Sequence, residues 1–283
     1  MQTTKIGWTG LGNMGIPMAQ QLVKAGYDVT VYNRSKEKDA ALTAMGATIA
    51  TTPAALITQA DVVFIMVSDD AAIHNIFTGD NGLLTGNVTG KTIVNMSTVS
   101  PAISKEMYAL CRQQGNHYLD APVSGSVKQA ETGQLVIMAG GDETVYESIK
   151  PLFAHLGKLS MYLGAAGSGN MAKLAINTLL GLQTQAMAEA VLFAQQHGIK
   201  TEDFINIINN GALSNVYMKI KGEAIVNNNF QAAFALKHIV KDLGLAKAEG
   251  LATPMANVAY DTFKQASETL GEEDLIAVIK AIK

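Results

Sequence analysis

Three glycines decide most of what the opening of this chain can fold into. They stand in Gly10-Leu11-Gly12-Asn13-Met14-Gly15, directly after the apolar run Lys5-Ile6-Gly7-Trp8-Thr9. An apolar-periodic stretch follows from Ile16 to Ala25 and stops at Gly26, and Asp28-Val29-Thr30-Val31-Tyr32 begins the next apolar run. Strand, glycine loop, helix and strand within about 30 residues make a βαβ unit. In such a unit the first glycine permits a tight turn, the second lets the backbone approach a pyrophosphate, and the third lets helix and strand pack closely. The helix N-terminus offers N–H groups and partial positive charge to that anion. A plain structural glycine turn is the alternative. The context of strand, loop and helix favours a dinucleotide site formed by Gly10, Leu11, Gly12, Asn13, Met14 and Gly15.

The end of the second strand bears on which dinucleotide. An acid there usually accepts from the ribose 2′-OH of NAD. This chain reads Tyr32-Asn33-Arg34-Ser35, with Lys36 next. A guanidinium suits a 2′-phosphate by charge and by fork geometry, and no acid stands at Asn33 to repel it. Asn33, Arg34 and Ser35 are therefore expected to favour NADPH. The alternative is that Arg34 is a solvated loop residue.

Further strands are expected at Val62 to Val67, Thr92 to Asn95 and Tyr118-Leu119, separated by helices. Leu135 to Ala139 and Ser160 to Leu163 should extend the same sheet. Short apolar strands alternating with helices imply a parallel sheet covered on both faces. After Gly164 the strand signal stops. One long helix should run from Gly167-Ser168-Gly169 to about His197, closed by Gly198. Thr201 is the expected N-cap of the next helix, Pro254 the first residue of another, and an amphipathic helix is expected from Glu272 onward. The expected fold class is therefore α/β. A doubly wound sheet over residues 1–164 precedes an all-helical domain over 165–283, and the long helix joins them.

Composition narrows the partners. The chain has 283 residues, 48% hydrophobic and 16% charged, with a formal net charge of -3. That length suits two domains, and that charge makes nucleic acid or an anionic membrane a poor partner. Cys111 is the only cysteine, so an intrachain disulfide and a thiolate-rich metal site are both ruled out. No metal is expected. The N-terminus lacks the basic and apolar regions of a signal peptide, and a cytoplasmic location is expected.

Within the long helix, Asn170-Met171-Ala172-Lys173-Leu174-Ala175-Ile176-Asn177-Thr178 is apolar on nearly every face. A helix apolar all round is expected to be buried. A lysine in it either snorkels to water or serves chemistry. Burial lowers a lysine pKa from its usual value of about 10.4, so Lys173 could exchange a proton with an alkoxide. Asn177 falls on the same face, four residues on.

With these residues in view, the chain resembles the β-hydroxyacid dehydrogenase family, which includes 3-hydroxyisobutyrate dehydrogenase. Four segments carry the resemblance: Gly7 to Gly15; Asp120-Ala121-Pro122-Val123-Ser124-Gly125-Ser126 with Gly133-Gln134-Leu135; Gly167-Ser168-Gly169 with Lys173 and Asn177; and Phe234 with Lys241-Asp242. The resemblance covers essentially the whole chain. It implies a Rossmann domain that binds NADP, with substrate in a cleft formed with the helical domain. It implies Lys173 as acid/base assisted by Asn177. It places Ser124 and Gly125, with Ser126 close by, on the substrate carboxylate, and Thr98 near the nicotinamide. Phe234 and Lys241 would meet the cofactor and Asp242 would orient the cleft. Ser124-Gly125-Ser126 and Gly133-Gln134-Leu135 look like the variant found in NADPH-dependent glyoxylate/succinic semialdehyde reductases, whereas Val127-Lys128-Gln129-Ala130 departs from it. The expected reaction is reduction of a small aldehyde acid to the hydroxy acid by a homodimer or homotetramer. The alternatives are a 3-hydroxyisobutyrate dehydrogenase, a tartronate semialdehyde reductase, or a non-catalytic redox sensor or scaffold.

Overall fold

The computed structural model describes residues 4–35 and 38–282. Lys36 lies outside them. Nine strands form the sheet: β1 Lys5–Thr9, β2 Asp28–Tyr32, β3 Thr48–Ile49, β4 Val62–Ile65, β5 Thr92–Asn95, β6 His117–Asp120, β7 Val123–Ser124, β8 Leu135–Gly141 and β9 Gly157–Tyr162. The order β3-β2-β1-β4-β5-β6 is parallel throughout. This is the 3-2-1-4-5-6 order of a doubly wound dinucleotide fold. Beyond β6 the strand direction reverses: β8 runs antiparallel to β6 and β7, and β9 runs parallel to β8.

Helices α1 Gly15–Lys24, α2 Ala40–Thr43, α3 Pro53–Gln59, α4 Asp70–Thr78, α5 Pro101–Gln113, α6 Val127–Glu131 and α7 Glu143–Leu156 cross between strands. The strand β4 shows why both faces of the sheet are covered. Val62 and Phe64 join one apolar cluster, with Met18 and Leu22 of α1 and Phe153 of α7. Val63 and Ile65 join the other, with Leu56 of α3, Ile73 of α4 and Met107 of α5. With a side-chain period of two, a strand apolar at every position must be packed on both sides.

The chain divides into two compact units, Met1–Lys173 and Leu174–Lys283. The division falls inside α8, Ser168–Gln196. Helices α9 Thr201–Asn210, α10 Val216–Val226, α11 Leu236–Ala248 and α12 Pro254–Leu270 follow, then a 3-10 helix at Leu275–Lys280. Their shared core holds Met187, Ile239, Leu243 and Phe263. Among the described residues the last strand ends at Tyr162. None of the described helices is long and apolar enough to cross a membrane.

Four local expectations are corrected. The strand expected to reach Val67 ends at Ile65, because the Val67 N–H leaves the ladder and donates to Ser97 Oγ at 2.9 Å. Thr201 is not an N-cap: Lys200 holds that place, and Thr201 Oγ1 accepts from Gln195 Nε2 at 2.7 Å. The segment after Glu272 is the short 3-10 helix, in which Leu275 to Ile279 are all buried and Lys280 alone is exposed, so it is not amphipathic. Helix α8 is not buried all round, since Met171, Ile176, Leu179 and Phe193 are exposed along it.

The helical unit hangs on one buried carboxylate. Asp274 accepts from Lys221 Nζ at 2.7 Å and from the N–H groups of Ala233, Phe234 and Ile276 at 3.1, 3.3 and 3.2 Å. Both side chains of the ion pair are buried. Removing one member of such a pair strands the other charge in a poorly hydrated place. Asp274→Ala is accordingly expected to lose about 3–5 kcal/mol of stability in urea unfolding. A loss below about 1 kcal/mol, the size of an exposed pair, would contradict this role.

Candidate active site

The glycine loop leaves β1 at its carboxyl end. Gly10 adopts φ +94°, and a Cβ there would lie 2.0 Å from the Met66 carbonyl oxygen. A Cβ on Gly15 would lie 1.9 Å from the Gly10 carbonyl oxygen, so this glycine lets α1 close over its own loop. Gly12 differs: a Cβ there would meet nothing within 4 Å. Its absence keeps the outer surface of the turn clear. Gly12 and Asn13 are exposed, and no acidic residue stands in the first turn of α1. The loop therefore fits a pyrophosphate: open at its crest, with a helix N-terminus behind it and no competing carboxylate.

Two contacts brace the loop. Trp8, buried and stacked on Phe64 at 5.5 Å, donates its indole N–H to the Gly10 carbonyl at 3.2 Å. Asn33 Oδ1 accepts the Leu11 N–H at 3.0 Å, while its Nδ2 donates to the Ser35 carbonyl at 2.7 Å. Asn33 thus joins the two turns that leave β1 and β2. Arg34 and Ser35 are exposed beside it.

At the carboxyl ends of β5 and β6, buried polar side chains replace the apolar ones. Asn95 Oδ1 accepts the Ser97 N–H at 3.0 Å, and Asn95 Nδ2 donates to Tyr118 Oη at 3.1 Å. Thr98 is half-buried in the turn that follows. Asp120, fully buried, accepts the Gly167 N–H on Oδ1 at 2.7 Å and the Asn170 N–H on Oδ2 at 2.8 Å. Burial pushes the Asp120 carboxyl up from its ordinary range, and these N–H groups pull it partly back. Asn170, also fully buried, accepts the Val99 N–H on Oδ1 at 3.0 Å and donates from Nδ2 to Ser104 Oγ at 3.1 Å. A Cβ on Gly169 would lie 2.3 Å from the Met138 carbonyl oxygen, so only glycine lets the first turn of α8 sit this close to β8. Lys173, half-buried, lies on α8 three residues after Asn170.

The Ser124–Ser126 segment is shaped by a second turn. Ser124 ends β7. Gly125 has φ +137°, with Leu135 Cδ2 only 2.7 Å from where a Cβ would be. Ser126 caps α6: its N–H and its hydroxyl both reach Gln129 Oε1, at 2.8 and 2.5 Å. The Ser126 hydroxyl thus also braces the turn that carries it.

In the helical unit, Asn177 Nδ2 donates to Asp242 Oδ2 at 2.5 Å, and both residues are buried. Lys241 Nζ stands 3.1 Å from Asp242 Oδ1, an ion pair without hydrogen-bond alignment, since Oδ1 accepts no hydrogen bond. Phe234 is half-buried and stands against His238, ring centroids 6.0 Å apart. Among the described residues no group of three or more His, Cys, Asp or Glu side chains could hold a metal ion.

Sequence reasoning assigned no role to Asp120, Asn170 or Trp8. A buried acid closing an apolar strand, and an asparagine inside an apolar helix turn, are the signals that could have found the first two.

The comparisons with known proteins agree with this geometry. Residues 5–164 match the NAD-binding domain of 6-phosphogluconate dehydrogenase, and residues 167–282 match the NAD-binding domain of NADP-dependent 3-hydroxyisobutyrate dehydrogenase. Glyoxylate/succinic semialdehyde reductase 2, chloroplastic, of Arabidopsis thaliana is 38% identical over 286 residues, covering 99% of this chain and 80% of the relative. Glyoxylate/succinic semialdehyde reductase 1 of the same plant is 37% identical over 284 residues, covering 99% and 98%. The structure of a 3-hydroxyisobutyrate dehydrogenase of Mycobacterium tuberculosis with L-serine superposes with a TM-score of 0.90 at 29% identity, covering 99% of each chain. A doubly wound sheet with an open glycine loop, a helical second unit and relatives along its whole length have one reading: the chain belongs to the β-hydroxyacid dehydrogenase family and is an NADP(H)-dependent oxidoreductase.

Proposed function

We propose that this chain reduces a small aldehyde acid, succinic semialdehyde or glyoxylate, to the hydroxy acid, with Lys173 as proton donor. The observation that carries this is the placement of Lys173. Asp120 and Asn170 fix the first turn of its helix at the carboxyl ends of β5 and β6. The Gly10–Gly15 loop leaves the same edge of the sheet, where open α/β sheets take their ligands. The names of the two plant relatives support the aldehyde acids as the substrate class.

Bound NADPH would supply the hydride to the aldehyde carbon. The chain would do the rest. The Lys173 ammonium stabilises negative charge on the aldehyde oxygen and gives it a proton. Ser124 and the backbone at Gly125 bind the substrate carboxylate, which sets the distance to the aldehyde. Ser126 holds that turn through Gln129. Asn177 assists Lys173, and Asp242 orients the Asn177 amide. Gly10, Leu11, Gly12, Asn13, Met14 and Gly15 hold the pyrophosphate and Thr98 flanks the nicotinamide. Asn33, Arg34 and Ser35 surround the 2′-phosphate. Phe234 and Lys241 are the cofactor contacts we propose on the helical unit. In this reading residues 1–164 are the cofactor domain and 165–283 the helical domain.

Lys173→Ala is expected to lower kcat about 10²- to 10⁴-fold in the NADPH absorbance assay while NADPH still binds. Wild-type kcat in the variant would remove Lys173 from the chemistry. NADPH binding by the wild type, without turnover of any aldehyde acid, would favour a binding protein. Turnover of 3-hydroxyisobutyrate or tartronate semialdehyde in preference to both aldehydes would move the substrate and leave the chemistry.

Arg34→Ala is expected to reduce the preference for NADPH over NADH, as the ratio of kcat/KM values, by roughly 10- to 100-fold. That is the worth of a charged hydrogen-bonded pair, about 1.5–3 kcal/mol. An unchanged ratio would make Arg34 a solvated loop residue.

The helical unit also exposes Phe193, Ile207, Leu213 and Val216, the last at 75%. Exposed apolar side chains in this number favour self-association, and a homodimer or homotetramer is the assembly we propose. Light scattering of the purified chain should return a multiple of its 29.9 kDa mass. A monomer at assay concentration would contradict the assembly.

A further inference from the structure

We propose that Asn170 is a positioning residue that makes the Thr98 turn and the Lys173 helix turn one rigid piece. This rests on the reading of Lys173 as proton donor and goes beyond it by saying what aims the lysine. The argument is geometric. Asn170 has no exposed surface, and three of its groups are bonded to three separate elements. Its backbone N–H donates to Asp120 Oδ2 at the end of β6. Its Oδ1 accepts the Val99 N–H, the residue after Thr98. Its Nδ2 donates to Ser104 Oγ on α5. Lys173 follows three residues later on the same helix, so its Cα inherits the placement of this turn.

The side chain has to be an amide of this length. An alanine would leave the buried Val99 N–H without its acceptor. An aspartate would still accept from Val99, but it could not donate to Ser104 Oγ and would place a second carboxylate next to Asp120. The Ser104 hydroxyl already donates to the Ser100 carbonyl at 3.3 Å, so a group that accepts on one side and donates on the other is what joins the turn after β5 to α5 through α8. The side chain ties the Val99 turn and α5 to a helix turn that the backbone N–H already ties to Asp120, so its loss should show in the aim of Lys173, which makes the idea testable.

The test is a double-mutant cycle on the full chain, with succinic semialdehyde and NADPH as the assay pair. Activity is normalised to NADPH-binding sites counted by fluorescence. Asn170→Ala is expected to lower kcat by about 10- to 100-fold, the cost of misplacing a reacting group by about an ångström. NADPH affinity should stay within about twofold. In a Lys173→Ala background, Asn170→Ala should cost less than about twofold more, because a residue that acts through the lysine has nothing left to aim. A merely structural role would instead multiply the two losses. Kcat of Asn170→Ala within about threefold of wild type, or multiplicative losses, overturns the proposal.

Should Asn170→Ala fail to fold, Ser104→Ala removes one of the three ties. It is expected to lower kcat about three- to tenfold with the same non-additivity, and unchanged kcat there overturns the proposal equally. Full activity in Lys173→Ala overturns both this role and the reading it rests on. An inactive Lys173→Ala beside a near-normal Asn170→Ala overturns the positioning role alone.

Discussion

The bond between the Asp120 carboxylate and the start of α8 is the one on which the carboxyl edge of the sheet depends. A helix N-terminus leaves N–H groups without intrahelical partners, and its dipole favours an anion there. Asp120 supplies that anion from the end of a sheet strand, far away in sequence. Burying a carboxylate is expensive, and the raised pKa of Asp120 records the expense. Charge-assisted bonds to two backbone N–H groups offset it. The result is a long helix whose origin is fixed against the sheet by a polar interaction rather than by apolar packing. Apolar packing tolerates sliding, whereas two hydrogen bonds to one carboxylate do not. This matters because α8 is the segment through which the chain passes from one compact unit to the next.

The carboxyl edge of the sheet repeats this device. Asn95, Ser97 and Asp120 are buried polar residues at the points where strands end, and each takes a backbone or side-chain group that the ladder no longer serves. Trp8 does the same for the glycine loop, with its ring in the core and its indole N–H on Gly10. Each of these bonds ties a loop to the end of a strand or to a neighbouring loop. In the proposed reading, this edge and the start of α8 hold the proton donor and the carboxylate binder at the fixed separation that hydride chemistry requires.

Much of this was legible in the residues. The strands β1, β2 and β5 match their apolar runs residue for residue, because burial on both faces leaves a continuous run as its signature. The glycine loop was legible too, since its three glycines answer to separate steric demands. What sequence concealed were features set by tertiary partners. Thr201 lost its capping place because its hydroxyl was wanted by Gln195. The end of the chain lost its amphipathic helix because Leu275 to Ile279 are buried on every side. The two-residue strands β3 and β7 have too little pattern to announce themselves. In the candidate site, Lys173 and Asn177 were visible as polar residues in an apolar helix. Asp120 and Asn170 were not, because their partners lie 47 to 71 residues away in sequence.

Asn33 shows how a structural cause can look like a functional one. From sequence, the lack of an acid at this position argues for a phosphorylated ribose. In the structure the amide accepts from Leu11 and donates to the Ser35 carbonyl, bonds that join the loops after β1 and β2. An aspartate could keep the first bond but would set its second oxygen against a carbonyl. The asparagine is therefore explained by loop geometry whichever dinucleotide is bound. Its neutrality permits a 2′-phosphate without attracting one. Attraction has to come from a cation, and among the described residues of this turn Arg34 is the side chain that carries one. On the proposed reading of Arg34, the discriminating charge sits on the exposed residue next to the braced one. That arrangement lets the loop keep its shape while the ribose contact changes.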